Sequence, residues 1–362
     1  MNKKHILVAA YSLDYGGIEV SLINLLKNLD YDKYDVSLVL ERKEGIFLSD
    51  LPKNINVIEY RVSDNKNVFV RKFINLFKKV NWFFRYHNSF SCSISYATYS
   101  KPCSFLARAS SKNSILFVHS NYYNVYNRDE KLTRSFFDGI KIHSFRSLVF
   151  VSIESRNDLC SLYDIGKKSY VINNLVDYDK IIKLSKEKID IKASRKVFLF
   201  VGRLEEASKK VSRILNVSKL CKENSVDCQF WIIGDGPDKG MYLDYVLKHN
   251  LDNVIFFGAK KNPYPYIKKA DYLILTSLYE GFPVVYNEAI ALNKFILTTV
   301  DVSDDYITIP ERFGIVVDSN ISSIYEKVLF LVNHDIKPKE QVDFVKLNEE
   351  RIKKIEALME CK

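Results

Sequence analysis

Residues 270–293 read ADYLILTSLYEGFPVVYNEAIALN, and the fold is decided by how this stretch is parsed. Tyr272–Thr276 is a short apolar run, too short for a helix, that stops at a small polar residue, as buried strands do. The loop Ser277–Pro283 follows. Pro283 suits the first position of a helix, and Ala289–Leu292 are good helix formers. The stretch is therefore strand, loop and helix, with Glu280 in the loop and Glu288 well inside the helix. Amides around Val284, Val285 and Tyr286 open that helix without intrahelical partners, which makes a pocket for an anion such as a pyrophosphate. Two carboxylates beside such a pocket are poor phosphate ligands but good acceptors for ribose and sugar hydroxyls. Taken alone, the Glu-x7-Glu spacing reads more readily as a surface loop with two solvated glutamates.

The same unit recurs on either side. Val197–Val201 ends at Gly202-Arg203, Gln229–Ile233 at Gly234-Asp235-Gly236-Pro237, and Val254–Phe257 at Gly258. Phe295–Val300 and Gly314–Val317 complete the second-half set. Ligands of open α/β sheets bind beyond the carboxyl ends of strands, so these glycines mark a binding edge. The first half carries an earlier round of the pattern. Ile6–Ala10 leads into a loop with Gly16-Gly17, and Ile18–Leu29 has apolar residues at helical spacing. Val36–Leu40, Val57–Tyr60, Cys92–Tyr96, Ser114–His119 and Ser147–Ser152 are further short apolar runs. Strands alternating with helices imply βαβ units and parallel sheets. The expected class is α/β in two similar halves, separated by Lys/Asp/Ser-rich sequence around residues 169–196. Domains are expected at 1–168 and 169–340, with a polar helix in 341–362 that, by the family resemblance given below, packs back on the first.

Several segments, in order, resemble the retaining family 4 glycosyltransferases. The Glu280–Glu288 spacing is similar to that family's signature. Val201-Gly202-Arg203-Leu204 with Lys209 resembles its strand-end Gly-Arg and downstream lysine, and Ile232 to Pro237 resembles its Gly-x-Gly-Pro turn. Phe256-Phe257-Gly258, Tyr266 to Asp271, Gly16-Gly17-Ile18-Glu19 and Val171 to Asp177 are similar to further family elements. The resemblance implies a GT-B fold, two Rossmann-like domains with parallel sheets facing across a cleft. It implies that Arg203 and Lys209 neutralise a donor diphosphate, that Glu288 accepts from ribose hydroxyls, and that Glu280 approaches the transferred sugar. Lys209 stands one residue later than is usual and Lys210 adjoins it, so both lysines remain candidates for the phosphate. Gly17, Gly202 and Gly258 would line the donor site, together with Phe282, Pro283, Val284 and Val285. His119, at the end of the run Ile115–Val118, would face the donor sugar. The plain alternatives are solvated cations, a simple tight turn at Gly17 and a structural histidine. Asn174 and Asp177 are expected to shape the domain junction. Retention, by front-face attack, is likewise what the resemblance implies. No Asp-x-Asp accompanies the signature, so no metal or other cofactor is expected; the nucleotide sugar is a substrate.

Composition bounds the rest. With 362 residues, 47% hydrophobic and 27% charged, the chain has material for two globular cores. Six scattered cysteines with no CxxC pair argue against a disulfide framework or a zinc site. No secretory leader and no spanning segment is apparent, which suggests a cytoplasmic protein, soluble or peripheral. The net charge of +10 is uneven: residues 1–160 hold 23 Lys/Arg against 15 Asp/Glu. A basic first half suggests anionic partners. Val68–Tyr86, VFVRKFINLFKKVNWFFRY, sets phenylalanines at helical spacing with cations largely between them. That fits an interfacial helix on an anionic membrane, and it fits equally an amphipathic helix packed on its own domain. A nucleic-acid-binding protein of this basicity should carry a recognisable module, and none is found. The expected partners are a nucleotide-sugar donor, UDP favoured, and a saccharide acceptor, lipid-linked as in bacterial surface polysaccharide synthesis. Another GT-B enzyme, such as a sugar-nucleotide epimerase, is the alternative.

Overall fold

The computed structural model describes residues 3–14, 16–191, 195–304, 306–310 and 312–361. The chain forms two compact units, Met1–Leu175 with Asn348–Lys362, and Val176–Leu347.

The first unit is built on seven strands: β1 Lys4–Ala10, β2 Tyr34–Leu40, β3 Asn56–Glu59, β4 Cys92–Ser95, β5 Ser114–Val118, β6 Ser147–Phe150 and β7 Ser169–Val171. They pair in parallel in the order β3-β2-β1-β4-β5-β6-β7. Around them run α1 Gly17–Asn28, α2 Val68–Tyr86, α3 Lys101–Ser110, α4 Tyr122–Val125, α5 Glu130–Gly139 and α6 Ile153–Leu162. The central strands read as continuous apolar runs because both faces are covered; Ile6 to Ala9 are all fully buried.

The second unit has six strands: β8 Lys196–Val201, β9 Cys228–Ile233, β10 Val254–Gly258, β11 Tyr272–Leu275, β12 Phe295–Thr298 and β13 Gly314–Val316. All pair in parallel, in the order β10-β9-β8-β11-β12-β13. Its helices are α7 Tyr178–Leu184, α8 Val211–Glu223, α9 Lys239–Lys248, α10 Tyr264–Lys269, α11 Val284–Ala291 and α12 Ile321–Asn333. Each sheet thus starts near its middle, winds to one edge, and returns to wind to the other, the doubly wound arrangement.

The last helix, α13 Phe344–Glu360, carries the chain into the first unit again. Its Ile355, Leu358 and Met359 are buried in the same core as Ile6, Val8 and Leu38. Arg351 is 2% exposed, and its Nη1 donates to the Asn174 carbonyl at 2.8 Å. Asn113 Nδ2 donates to the carbonyls of Leu358 and Met359, each at 3.0 Å. The first unit runs to Leu175 rather than Lys168, because Ser169–Val171 pairs with β6 as an edge strand. Three residues inside a polar stretch gave no apolar run to read.

One helix departs from the usual burial of an amphipathic surface. Of α2, only Trp82 is buried, while Phe69, Phe73, Leu76, Phe77 and Phe84 are 60–85% exposed. No helix among the described residues is long and apolar enough to cross a membrane.

Candidate functional site

In the second unit β8 and β11 are neighbours, although two strands and three helices separate them in the chain. This is the point where the winding reverses, and ligands of open α/β sheets bind beyond the carboxyl ends of the strands at such a point. Every residue from Gly202 to Lys210 lies on the loop leaving β8, and every residue from Thr276 to Pro283 on the loop leaving β11.

Hydrogen bonds staple the two loops together. The Leu278 amide donates to the Ser208 carbonyl at 2.8 Å, and Thr276 Oγ1 donates to the Lys210 carbonyl at 2.9 Å. Arg213 Nη1 reaches the Thr276 carbonyl at 2.8 Å. Across this seam Lys209 Nζ stands 2.5 Å from Glu280 Oε1, which also accepts from Ser277 Oγ at 2.6 Å. The Glu280 side chain is 9% exposed and that of Lys209 22%. A carboxylate so withdrawn from water needs partners, and it has two. Lys210 is turned elsewhere: its Nζ pairs with Glu206 Oε1 at 3.5 Å, and its backbone, at φ 50, caps α8. Arg203 is exposed directly after β8 and has no ion-pair partner among the described residues. The structure therefore brings Lys209 and Glu280 together, leaves Arg203 at the rim, and separates Lys210 from both.

The glycines at the strand ends make this edge thin. A Cβ on Gly234 would stand 1.8 Å from the Gly202 carbonyl oxygen, and its φ is +150. The Gly202 amide donates to the Ile233 carbonyl and the Gly234 amide to the Gly258 carbonyl, both at 3.0 Å. Gly202, Gly234 and Gly258 thus form a side-chain-free row across the ends of β8, β9 and β10.

The helix after the second loop begins at Val284, with Pro283 as its extended cap rather than its first turn. Pro283 has φ −60 and ψ 128, so it delivers the chain to the helix without entering it. The Tyr286 amide donates to the Pro283 carbonyl at 2.9 Å, which removes it from the set of amides expected to face an anion; Val284 and Val285 remain in the opening turn. Phe282 is 3% exposed, its ring edge-on to Tyr286 with centroids 5.9 Å apart.

Glu288 is 8% exposed and accepts from Tyr264 Oη at 3.3 Å. Burial lifts its carboxyl to about 7, against the smaller opposing pulls of the Tyr264 hydroxyl and the Lys180 charge. One residue before it, Asn287 is 1% exposed, and neither of its amide atoms has a partner among the described residues. Ser277, Tyr264 and Asn287 were not singled out from sequence. Ser277 was visible as a polar strand end, and Asn287 as an amide among apolar helix positions. Tyr264 lies on another helix and carried no signal.

In the first unit the winding reverses between β1 and β4. Gly17 opens α1 just after β1. His119 follows β5, its ring lying against Tyr96 and Phe117 at centroid distances of 4.5 and 5.8 Å. Its Nε2 is buried with no partner among the described residues, and burial drives the imidazole down to about 3, so the ring is neutral. Tyr96 Oη meets Ser21 Oγ at 2.6 Å, and Ser21 in turn donates to Asn174 Oδ1 at 2.5 Å. Asp177 caps α7 through the Lys180 amide at 3.2 Å. Gly17, His119 and Asn174 belong to the first unit; Arg203, Lys209, Glu280, Glu288 and the other donor-site candidates belong to the second.

Residues 182–349 match the family model described as Glycosyl transferases group 1. A curated relative from Campylobacter jejuni is 27% identical over 182 residues, 49% of this chain and 48% of its own length. It is named N-acetylgalactosamine-N,N'-diacetylbacillosaminyl-diphospho-undecaprenol 4-alpha-N-acetylgalactosaminyltransferase. The alignments take in 40% and 48% of the first two curated relatives' own lengths. Among solved structures, TarM of S. aureus in complex with fondaparinux, alpha-GlcNAc-glycerol and UDP superimposes with a TM-score of 0.72 at 14% identity, over 99% of this chain and 98% of that one. Anabaena HepE in complex with UDP and glucose gives 0.72 at 14% identity, over 98% and 100%. At such identities the likeness is one of fold, the GT-B fold of glycosyltransferases.

Proposed function

We propose, from the match of residues 182–349 to the group 1 glycosyl transferases, that the chain moves a hexosyl or N-acetylhexosaminyl group from a nucleotide diphosphate sugar to a saccharide acceptor. The observation that carries the reading is the Lys209–Glu280 pair, 2.5 Å apart at the switch point of the second sheet.

A diphosphate brought to these strand ends meets the cations of Arg203 and Lys209 over a row of glycines that no side chain screens. Charge-assisted bonds to the departing phosphate strengthen as its charge grows, which favours the transition state over the ground state. Two cations do here what a metal does elsewhere, so the reading needs no metal. Lys209 is the phosphate lysine in this reading, since Lys210 is committed to Glu206. Glu280, held by Lys209 and Ser277, accepts from a hydroxyl of the transferred sugar, and Glu288 accepts from the ribose diol. The acceptor oxygen attacks the anomeric carbon on the face from which the phosphate leaves. The carbon–oxygen bond to the diphosphate breaks, and the acceptor's proton passes to the phosphate oxygen, so configuration is retained.

UDP in both solved neighbours favours a UDP-sugar donor. The diphospho-undecaprenol acceptor in the name of the Campylobacter relative favours a lipid-linked saccharide, met at the cytoplasmic face of a bacterial membrane during surface polysaccharide synthesis. A thermal-shift panel of UDP, GDP, ADP and their sugar conjugates on wild type and Arg203→Ala tests the donor half. A ligand that binds only the folded chain raises its melting temperature. One nucleotide should do so, and less in the variant. A well-folded sample that responds to none of them refutes the reading.

A further inference from the structure

Helix α2 is mounted with its apolar face outward. On a wheel of 3.6 residues per turn, Phe69, Phe73, Leu76, Phe77, Val80 and Phe84 fall within an arc of about 100°, and these six are 43–85% exposed. Trp82 lies opposite the middle of that arc, and it is the residue that docks the helix. Its Nε1 donates to Ser110 Oγ at 3.0 Å, and its ring meets Tyr60 edge-on at 5.5 Å. Asn75, on the same side, accepts from the Ser63 amide at 2.7 Å. The N-terminus is held by Asn67, whose side chain accepts from the Phe69 and Val70 amides. The helix is thus secured along the side opposite that arc, through Trp82 together with the partly buried Asn75, Lys78 and Tyr86. An ordinary amphipathic surface helix does the reverse.

Charge says what covers the exposed face. Lys72 and Lys79 border one edge of the apolar arc, while Arg85 and Lys78 lie further round toward the docked side, where Lys78 Nζ donates to the Arg61 carbonyl at 2.6 Å. The helix has no acidic residue, and the whole span between Asp64 and Asp129 holds ten Lys/Arg and no Asp or Glu. A second copy of the chain laid face to face would bring two such cationic helices together without a countercharge, a repulsive arrangement. An anionic bilayer satisfies both features at once. Phosphate headgroups meet the flanking cations, and acyl chains receive phenylalanines that need no shaped pocket and no hydrogen bond. Along its 19 residues the helix is about 28 Å long, enough to lie as a continuous strip in the interface.

We propose that α2 is a membrane-docking helix that lies in the plane of an anionic bilayer, with its phenylalanine face in the acyl region and its cations among the headgroups. The proposal goes beyond the glycosyl-transfer reading, and its test requires no turnover.

The full chain is sedimented with vesicles of phosphatidylcholine alone and of phosphatidylcholine with phosphatidylglycerol. Wild type should partition into the anionic vesicles and release with salt. The variant Phe69→Ser/Phe73→Ser/Phe77→Ser/Phe84→Ser should lose on the order of tenfold or more in partitioning. All four side chains point away from the docked side, and an unchanged far-UV spectrum and melting temperature would show that the variant is folded. In a second variant, Phe84→Trp, the emission should shift to the blue on anionic vesicles. Absence of partitioning by wild type overturns the proposal, as does equal partitioning by the folded quadruple variant. A concentration-dependent dimer abolished by the same substitutions would assign the face to a second copy instead, and so would overturn it too. Nucleotide thermal shifts read on the same samples report on the donor site independently.

Discussion

Glu288→Gln probes a carboxyl whose surroundings set a definite pH range. The group is 8% exposed, has Tyr264 Oη at 3.3 Å, and is lifted to about 7 chiefly by burial. A ribose diol can give both its hydroxyl hydrogens to the ionised carboxylate, whereas the protonated acid presents a hydrogen of its own to one of them. If the ionised form is the one that binds, about a tenth of the molecules are competent at about pH 6 and about nine-tenths at about pH 8, so the apparent Kd differs about tenfold between them. Calorimetric titration of UDP into wild type and Glu288→Gln measures this. Taking the ratio of the two Kd values at each pH cancels the titration of the nucleotide's own phosphate. Stability moves with the opposite sign. An acid whose pKa is raised by folding costs nothing below its unfolded value. The penalty grows as pH rises and is complete above the folded value, at about 3 kcal/mol. Wild type should therefore lose about 2–3 kcal/mol relative to Glu288→Gln between about pH 5 and pH 8 in denaturant unfolding. A Kd ratio and a stability difference that are both flat with pH would refute the reasoning, because the carboxyl would then be ionised throughout.

Lys209→Met should weaken UDP binding by about 10- to 100-fold, the worth of one charge-assisted bond, while Lys210→Met should change it by less than about threefold; equal effects of the two would reverse the assignment. Gly234→Ala places a methyl 1.8 Å from the Gly202 carbonyl oxygen at a φ of +150. It should cost more than about 2 kcal/mol, and an unaltered denaturation midpoint would show that the strand ends can part. His119, driven down to about 3, should stay neutral through the physiological range. Its ring proton resonances should show no inflection between about pH 5 and pH 8, and a midpoint near the ordinary histidine value would mean that the ring is wet.

The order of elements was legible because the central strands of both sheets are buried on two faces and so appear as unbroken apolar runs. Tyr272 to Leu275 and Ile6 to Ala10 needed no further information. Glu280 and Lys209 could be placed on loops that leave strands, but their meeting could not be foreseen from spacing. It depends on β11 returning to the flank of β8, which brings together two side chains 71 residues apart in the chain. The choice between Lys209 and Lys210 was likewise beyond the sequence, since the left-handed turn at Lys210 sends adjacent side chains to different glutamates. Ser169–Val171 escaped notice because an edge strand of three residues with one exposed tyrosine has almost no apolar pattern to show. The helical periodicity of Val68–Tyr86 was plain, yet periodicity reports only that an apolar face exists. Which way that face is turned is set by one tryptophan on the other side.

The return of α13 to the first unit bears on how the protein is made. Chain synthesis runs from residue 175 through the whole of the second unit before Asn348 appears. Until then the first sheet is without Ile355, Leu358 and Met359, and the Asn174 carbonyl is without its bond from Arg351. On the ribosome, then, the half begun first is the half finished last. Its partly open core must wait, on the order of ten seconds or more at ordinary elongation rates, while its neighbour is completed. A chaperone that shelters nascent chains would find its longest-lived client surface along the floor beneath the final helix.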